Sequence, residues 1–134
     1  MNILFLMKGY GVGGIEIVAA TLASCFVRHG HHVVIATFCP PNALTVARTD
    51  NRVKIYTIGD YVCSAKNVAT LRYILQENHI QVVINQWGLP LVPCRTLNKA
   101  KRGLDIKTIA VYHNQIDTNA RIKGVEIALD GCTN

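Results

Sequence analysis

Short apolar runs alternate along the chain with segments whose apolar residues recur at helical spacing. Runs of this kind are typical of parallel strands that are covered on both faces. Strands are predicted at residues 2–7, 31–38, 53–58, 80–85 and 106–112. Because helical segments lie between them, the pattern predicts βαβ units. The fold class is therefore an α/β, Rossmann-like three-layer domain with a mostly parallel sheet.

Helical periodicity predicts an amphipathic helix directly after the first strand. Its apolar stripe is predicted to face the core and consists of Ile15, Val18, Ala19, Leu22, Ala23 and Phe26. Gly30 is positioned to end this helix. Ser64 is predicted to cap a second helix that runs to about residue 78, and a third is predicted over residues 89–101. Residues 42–52 leave room for one short helix, and residues 125–129 for one short strand.

Length, charge and cysteine content narrow the class of protein. The 134 residues fit a single domain, residues 1–134, and the first apolar run is too short for a signal peptide or a membrane span. We therefore expect a cytoplasmic protein, with peripheral contact at the inner face of the membrane left open. The net charge of +6 favours anionic partners. Five cysteines without a CxxC motif predict neither a metal site nor a disulfide framework.

A glycine-rich turn joins the first strand to the first helix. Gly9, Gly11, Gly13 and Gly14 fall within six residues. Glycines permit positive φ and let backbone N–H groups approach an anion at a helix N-terminus, so this turn is predicted to receive phosphate. A merely tight turn would explain one or two of these glycines. An NAD site would also need an acidic residue at the end of the second strand, where the sequence has Thr-Phe-Cys-Pro at residues 37–40.

Polar side chains follow two later strands at their carboxyl ends, the edge where ligands bind in this architecture. Asn85 and Trp87 end the fourth strand, and His113 and Asn114 follow the fifth. An aromatic ring beside amides suits sugar recognition. Trp87 could instead anchor a loop, and His113 could be an ordinary loop histidine. Glu16 lies in the first turn of its helix, where a favourable interaction with the helix dipole is the alternative to a binding role.

Three segments together resemble a known family. GGIE at residues 13–16 looks like the GGxE element of retaining GT-B glycosyltransferases of the family 4 type. GHHV at residues 30–33 resembles the GHxV stretch at that family's second strand, and YHN at residues 112–114 resembles its histidine motif. The resemblance spans about the whole chain, but only as the family's N-terminal half.

The resemblance implies an acceptor-side domain of an enzyme that transfers a sugar from a nucleotide-sugar to a glycan or glycolipid acceptor. It implies retention of configuration, and a function in cell-surface polysaccharide or glycolipid synthesis. A C-terminal donor-binding domain is expected outside this chain, so the isolated domain is expected to be inactive. His113 is the predicted catalytic residue. The predicted substrate-binding residues are Gly13, Gly14, Glu16, Asn85, Trp87 and Asn114. No metal and no cofactor besides the donor substrate are expected.

Two other functions are left open by the residues alone. The chain could be a stand-alone nucleotide- or phosphate-binding module, which would bind a nucleotide tightly by itself. It could also be a domain of an NAD-dependent oxidoreductase, which would select NAD. No nucleic-acid partner is expected, because the basic cluster of Lys99, Lys101 and Arg102 is interpreted as a solvated helix end.

Overall fold

A computed structural model describes residues 1–11, 13–86 and 91–111. In these residues five strands alternate with four helices. The elements are β1 (Asn2–Met7), α1 (Gly14–Arg28), β2 (His32–Thr37), α2 (Ala43–Arg48), β3 (Lys54–Thr57), α3 (Ala65–Glu77), β4 (Val82–Asn85), α4 (Leu91–Ala100) and β5 (Lys107–Ala110). All strand pairs are parallel, in the order β3-β2-β1-β4-β5. The predicted α/β class is confirmed. Residues 125–129 lie outside the described residues.

Strand β1 forms the centre of the sheet. It pairs with β2 from Asn2 with His32 to Met7 with Thr37, and on its other side with β4. Because both edges and both faces are covered, its last five residues are buried, which explains the continuous apolar run. The strand order reverses between β1 and β4. In doubly wound sheets, ligands bind outside the carboxyl ends of the strands at such a reversal point.

Each face of the sheet carries one layer of helices. α1 and α2 cover one face, and α3 and α4 the other. The core on the α1 side includes Phe5, Met7, Tyr10, Val33 and Ile35. The core on the α3 side includes Leu4, Leu6, Val34, Leu71, Leu75 and Leu97. Alternate residues of β1 and β2 thus supply the two cores, as the period of a strand requires.

The predicted core stripe of α1 is partly wrong. Val18 and Leu22 are 45% and 38% exposed, whereas Ala20, Ser24 and Val27 are buried beside the predicted Ala19 and Ala23. The large side chains of the sheet already fill the space beneath this helix, so the helix turns its small residues toward them. Phe26 is half-buried and its ring stacks on that of Phe5, with centroids 6.1 Å apart.

The helix ends follow the sequence signals closely. The Ser64 hydroxyl accepts the N–H of Asn67 at 3.1 Å, and Gly30 follows the last turn of α1 with a φ of +89°. The interpretation of the basic cluster as a solvated helix end is partly wrong. Lys99 and Arg102 are exposed, but Lys101 is buried. The turn after α4 folds back onto α3, and the Arg72 guanidinium donates to the carbonyls of Ala100 and Arg102.

Candidate functional site

The glycine turn is held against the segment that follows β2. Tyr10 is completely buried, and its hydroxyl lies 2.5 Å from that of Thr49. The N–H of Asn42 donates to the Tyr10 carbonyl at 2.8 Å, and the Thr45 hydroxyl donates to the Gly11 carbonyl. Burial raises the pKa of Tyr10, because it disfavours the charged phenolate. The turn is thus anchored through one buried side chain and two backbone carbonyls.

The glycines of this turn provide space rather than unusual dihedral angles. Glycine permits a positive φ, but among the described glycines a positive φ occurs at Gly30, Gly59 and Gly103 and not in this turn. A Cβ added at Gly13 would lie 2.6 Å from Oε2 of Glu16. A Cβ added at Gly11 or at Gly14 would have no heavy atom of the described residues within 4 Å, apart from those of its chain neighbours and of its own helix. The missing side chains therefore leave an open approach to the backbone.

This open approach lies at the N-terminus of α1. Gly13 is the extended N-cap residue, with φ −77° and ψ 175°, and its carbonyl accepts the N–H of Ile17 at 3.1 Å. The N–H groups of the first helical turn, from Gly14 to Glu16, precede that first intrahelical bond. Such groups and the helix dipole attract negative charge. The Glu16 carboxylate lies close to Gly13, at the N-terminal end of α1. At this end the helix dipole stabilises negative charge.

A lysine and a tyrosine that the sequence analysis missed lie at the same sheet edge. Lys8 directly follows β1, and its ammonium Nζ lies 4.8 Å from the ring centroid of Tyr61. The Tyr61 ring packs edge-on against Phe38, with centroids 5.4 Å apart. Burial is the main cause that raises the pKa of Tyr61, followed by the nearby thiols of Cys94 and Cys39. A cation directly after the first apolar run was the only available signal for this pair.

The loop after β3 places Tyr61. Gly59 has a φ of +146°, and a Cβ added there would lie 2.5 Å from Oδ1 of Asn67. The buried amide of Asn67 donates to the carbonyls of Asp60 at 2.6 Å and Val62 at 2.9 Å. Because these two bonds flank Tyr61, the first turn of α3 fixes the loop against the sheet edge.

Asn85 lies at the predicted edge, at the end of β4 and in register with Leu6 and Ala110. Its side chain is 2% exposed, and its amide nitrogen lies 3.6 Å from the Cys94 sulfur, directed toward α4. A direct substrate contact of Asn85 stays a prediction. Of the predicted site residues, the structure brings Gly13, Gly14 and Glu16 together. The other three, Trp87, His113 and Asn114, lie outside the described residues.

Within the described ranges, no three His, Cys, Asp or Glu side chains are placed so that they could hold a metal ion. None of the described helices has both the length and the apolar character that crossing a bilayer requires.

The sequence profile of Glycosyltransferase Family 4 matches residues 12–129, which is most of the chain. The chain belongs to glycosyltransferase family 4. The family that the sequence analysis named is thereby confirmed, and Gly13 and Gly14 of the glycine turn lie within the matched range. No sequence among curated proteins matches the chain significantly.

A solved structure shares the fold of this glycosyltransferase domain. It is a dTDP-glucose 4,6-dehydratase from Bacillus anthracis in complex with NAD, 13% identical, with a TM-score of 0.62. The match covers 97% of this chain and 49% of the dehydratase chain, so this chain spans about half the length of that protein. At this identity the likeness shows a Rossmann-type fold and nothing about the ligand.

The end of β2 distinguishes this domain from NAD-binding proteins of the same fold. In dinucleotide sites a carboxylate at this position holds the ribose hydroxyls. Here β2 ends at Thr37, whose hydroxyl donates to the carbonyl of Cys39 at 3.0 Å. No acidic residue lies between Thr37 and Cys39, so the acidic ribose ligand of the NAD fingerprint is missing.

Proposed function

We propose that this chain is the N-terminal, acceptor-side domain of a retaining glycosyltransferase that takes its sugar from a nucleotide-sugar donor. The observation that carries the proposal is the open approach beside Gly11 and Gly14, at the start of α1, in a chain of glycosyltransferase family 4. A diphosphate is the anionic part of a nucleotide-sugar, and helix N-termini bind such groups. The acceptor class is a glycan or glycolipid of the cell surface.

In the proposed mechanism the glycine turn stabilises charge that develops on the leaving diphosphate. The N–H groups of Gly14 and Ile15 are fixed in direction by α1, so they need no reorganisation as charge builds up. Lys8 adds a positive charge at the same sheet edge. His113 contacts the transferred sugar in this proposal, as the family resemblance implies. Asn85, Trp87 and Asn114 belong to the acceptor side, and no step requires a metal.

The proposal includes a second Rossmann-like domain that binds most of the donor. GT-B active sites lie between two such domains, and the glycine turn would form one wall of that cleft. The reading frame downstream of Asn134 tests this point. A coding sequence for a second Rossmann-like domain supports it, whereas downstream sequence that encodes no such domain counts against it. On this proposal the 134-residue chain alone does not turn over a nucleotide-sugar.

Titration of the chain, followed by the NMR shifts of its amides, tests the turn as an anion site. Inorganic pyrophosphate, UDP, GDP and NAD are added separately. We expect weak binding of pyrophosphate and nucleoside diphosphates, at about millimolar Kd, with shifts centred on Gly13, Gly14 and Ile15. Absence of shifts in these amides would remove the turn as a diphosphate site.

The same titration separates the alternative functions. Tight binding of one nucleotide by the chain alone would favour a stand-alone nucleotide-binding module. A selective response to NAD would favour an oxidoreductase domain and would contradict the proposed donor chemistry. The missing carboxylate at the end of β2 argues against that outcome.

A further inference from the structure

A groove lies between α1 and α2, the two helices that cover one face of the sheet. Because Ala20 and Ser24 of α1 are small, the helices leave a space of about 240 Å³ between them. The groove is lined by Ile17, Ala20, Thr21, Ser24, Arg28, Thr45 and Arg48. None of these residues belongs to the glycine turn, so the groove is separate from that turn.

Each helix contributes one arginine and α1 adds a buried hydroxyl to the groove. Arg28 lies in the last turn of α1 and Arg48 in the last turn of α2. Neither arginine forms a salt bridge with any of the residues that the structure describes. Ser24 is only 7% exposed, and its hydroxyl accepts the N–H of Asp50 at 3.0 Å, which leaves its own proton to donate. Two guanidinium groups and a hydroxyl are donors suited to a phosphate group.

The carboxylate of Asp50, next to Ser24, is already balanced by another arginine. It accepts two bonds from the Arg52 guanidinium, at 2.9 and 3.0 Å, and these are the main cause that lowers the pKa of Asp50 to about 2. Arg28 contributes a smaller lowering of the same pKa. Glu16 is the one acidic residue on α1 and α2, and it lies at the opposite end of α1. The groove therefore keeps a net positive charge.

We propose that the groove between α1 and α2 binds a small, soluble phosphate monoester. The charge of its phosphate, close to −2, matches the two guanidinium groups, and the Ser24 hydroxyl donates a further hydrogen bond. With about 240 Å³, the groove is smaller than the pockets that hold drug-sized ligands. Its described lining contains no aromatic ring on which a nucleobase could stack. The ligand is therefore a compact ester such as a sugar phosphate, whose carbon body packs on Ile17 and Ala20.

Thr45 connects this groove with the glycine turn. It lines the groove, and its hydroxyl donates to the carbonyl of Gly11. A ligand held between α1 and α2 fixes α2, and through Thr45 it fixes the turn. The groove ligand and a diphosphate at the turn should therefore strengthen each other's binding, because coupling between two sites is reciprocal. This last step rests on the proposed function, whereas binding in the groove does not.

Calorimetric titration of the chain tests the groove as a phosphate site. Glucose 6-phosphate, glucose and glycerophosphoglycerol are added separately. We expect glucose 6-phosphate to bind with a Kd of about 0.1–1 mM, and glucose not to bind. Glycerophosphoglycerol is a phosphodiester with a single negative charge, and it should bind about tenfold more weakly. Equal affinity for the phosphodiester, or no binding of glucose 6-phosphate, would overturn the proposal.

Paired variants place the ligand in the groove. Replacing Arg28→Ala and Arg48→Ala together is expected to weaken glucose 6-phosphate binding about 30-fold, because two charge-assisted donors are lost. The control is Lys66→Ala with Arg95→Ala, which removes the same charge from exposed positions on the other helical layer and should leave binding nearly unchanged. Equal losses in the two double variants would refute a site in the groove.

A second pair of variants tests the connection to the glycine turn. Saturating glucose 6-phosphate is expected to raise the affinity of the wild-type chain for pyrophosphate about fivefold. Thr45→Val should still bind glucose 6-phosphate but lose this increase. Thr21→Val should keep the increase, because the Thr21 hydroxyl donates within α1, to the carbonyl of Ile17 at 2.9 Å. An unchanged pyrophosphate affinity in the wild type would overturn the coupling. Failure of pyrophosphate to bind at all would contradict the proposed function only, because titration with glucose 6-phosphate decides the groove site by itself.

Discussion

The hydroxyl of Tyr10 donates a buried hydrogen bond to the hydroxyl of Thr49. The direction follows from the next bond, since Thr49 uses its own proton on the carbonyl of Thr45 at 2.8 Å. Thr45 in turn donates to the carbonyl of Gly11. Tyr10 of the glycine turn thus donates to Thr49 at the end of α2, and Thr45 of α2 donates back to the turn. The shape of the anion approach therefore depends on residues more than thirty positions away in the sequence.

Tyr10→Phe is expected to lower the free energy of unfolding by about 1 kcal/mol. The variant keeps the buried ring but removes the donor to Thr49. Urea denaturation measures the loss, and amide exchange is expected to rise in the glycine turn. Tyr73→Phe is the matched control, because Tyr73 is 59% exposed and should show neither effect. Equal losses in both variants would contradict a specific role of the Tyr10 hydroxyl.

The stability that Tyr10 contributes should decrease at alkaline pH. Burial raises the pKa of Tyr10 above its ordinary value of 10.0, so the folded chain holds the phenolic proton more tightly than the unfolded chain. The contribution is fully present below the unfolded pKa and is lost as pH rises through the folded pKa. The stability gap between wild type and Tyr10→Phe should therefore narrow between neutral pH and about pH 11. Tyr61 titrates in both chains, and its contribution cancels. A constant gap across this range would contradict the prediction.

Gly14→Ala separates folding from anion binding. Gly14 is not among the glycines with a positive φ, and a methyl group added there meets none of the described side chains, so the variant should fold with a melting temperature no lower than that of the wild type. Its methyl group, however, would occupy the approach to the first helical turn. We expect the pyrophosphate-induced shift of the Ile15 amide to disappear. An unchanged titration in a folded variant would show that the anion does not approach through this space.

Gly59→Ala should be more destabilising than Gly103→Ala. At Gly59 the φ of +146° suits only glycine, and the new methyl would meet Asn67, whose amide is fixed by two hydrogen bonds. A loss of about 2–3 kcal/mol in the free energy of unfolding is expected. Gly103 has a φ of +75° and open space among the described residues, so about 1 kcal/mol is expected there. Urea denaturation of both variants gives the comparison, and a reversed order would refute it.

The order of strands and helices could be predicted from the sequence, because it depends on the local pattern of apolar and polar residues. A strand covered on both faces needs a continuous apolar run, and β1 ends at Met7, where that run ends. Ser64 was recognisable as a cap because its hydroxyl replaces a missing backbone acceptor within its own segment. The absence of an acidic residue after Thr37 was equally visible. These features need no partner from elsewhere in the chain.

Only the tertiary structure decided which side of α1 faces the core and how the glycine turn is held. Apolar periodicity cannot distinguish Leu22 from Ala23, because both continue the stripe; the bulk of Phe5 and Met7 beneath the helix selects the smaller residue. Lys8 and Tyr61 come together because the parallel strands that precede them end at the same edge of the sheet. The local sequence pattern of either segment does not predict this contact. The sequence thus determined that glycines would line the start of α1. The fold determined that they act by leaving space beside its first N–H groups.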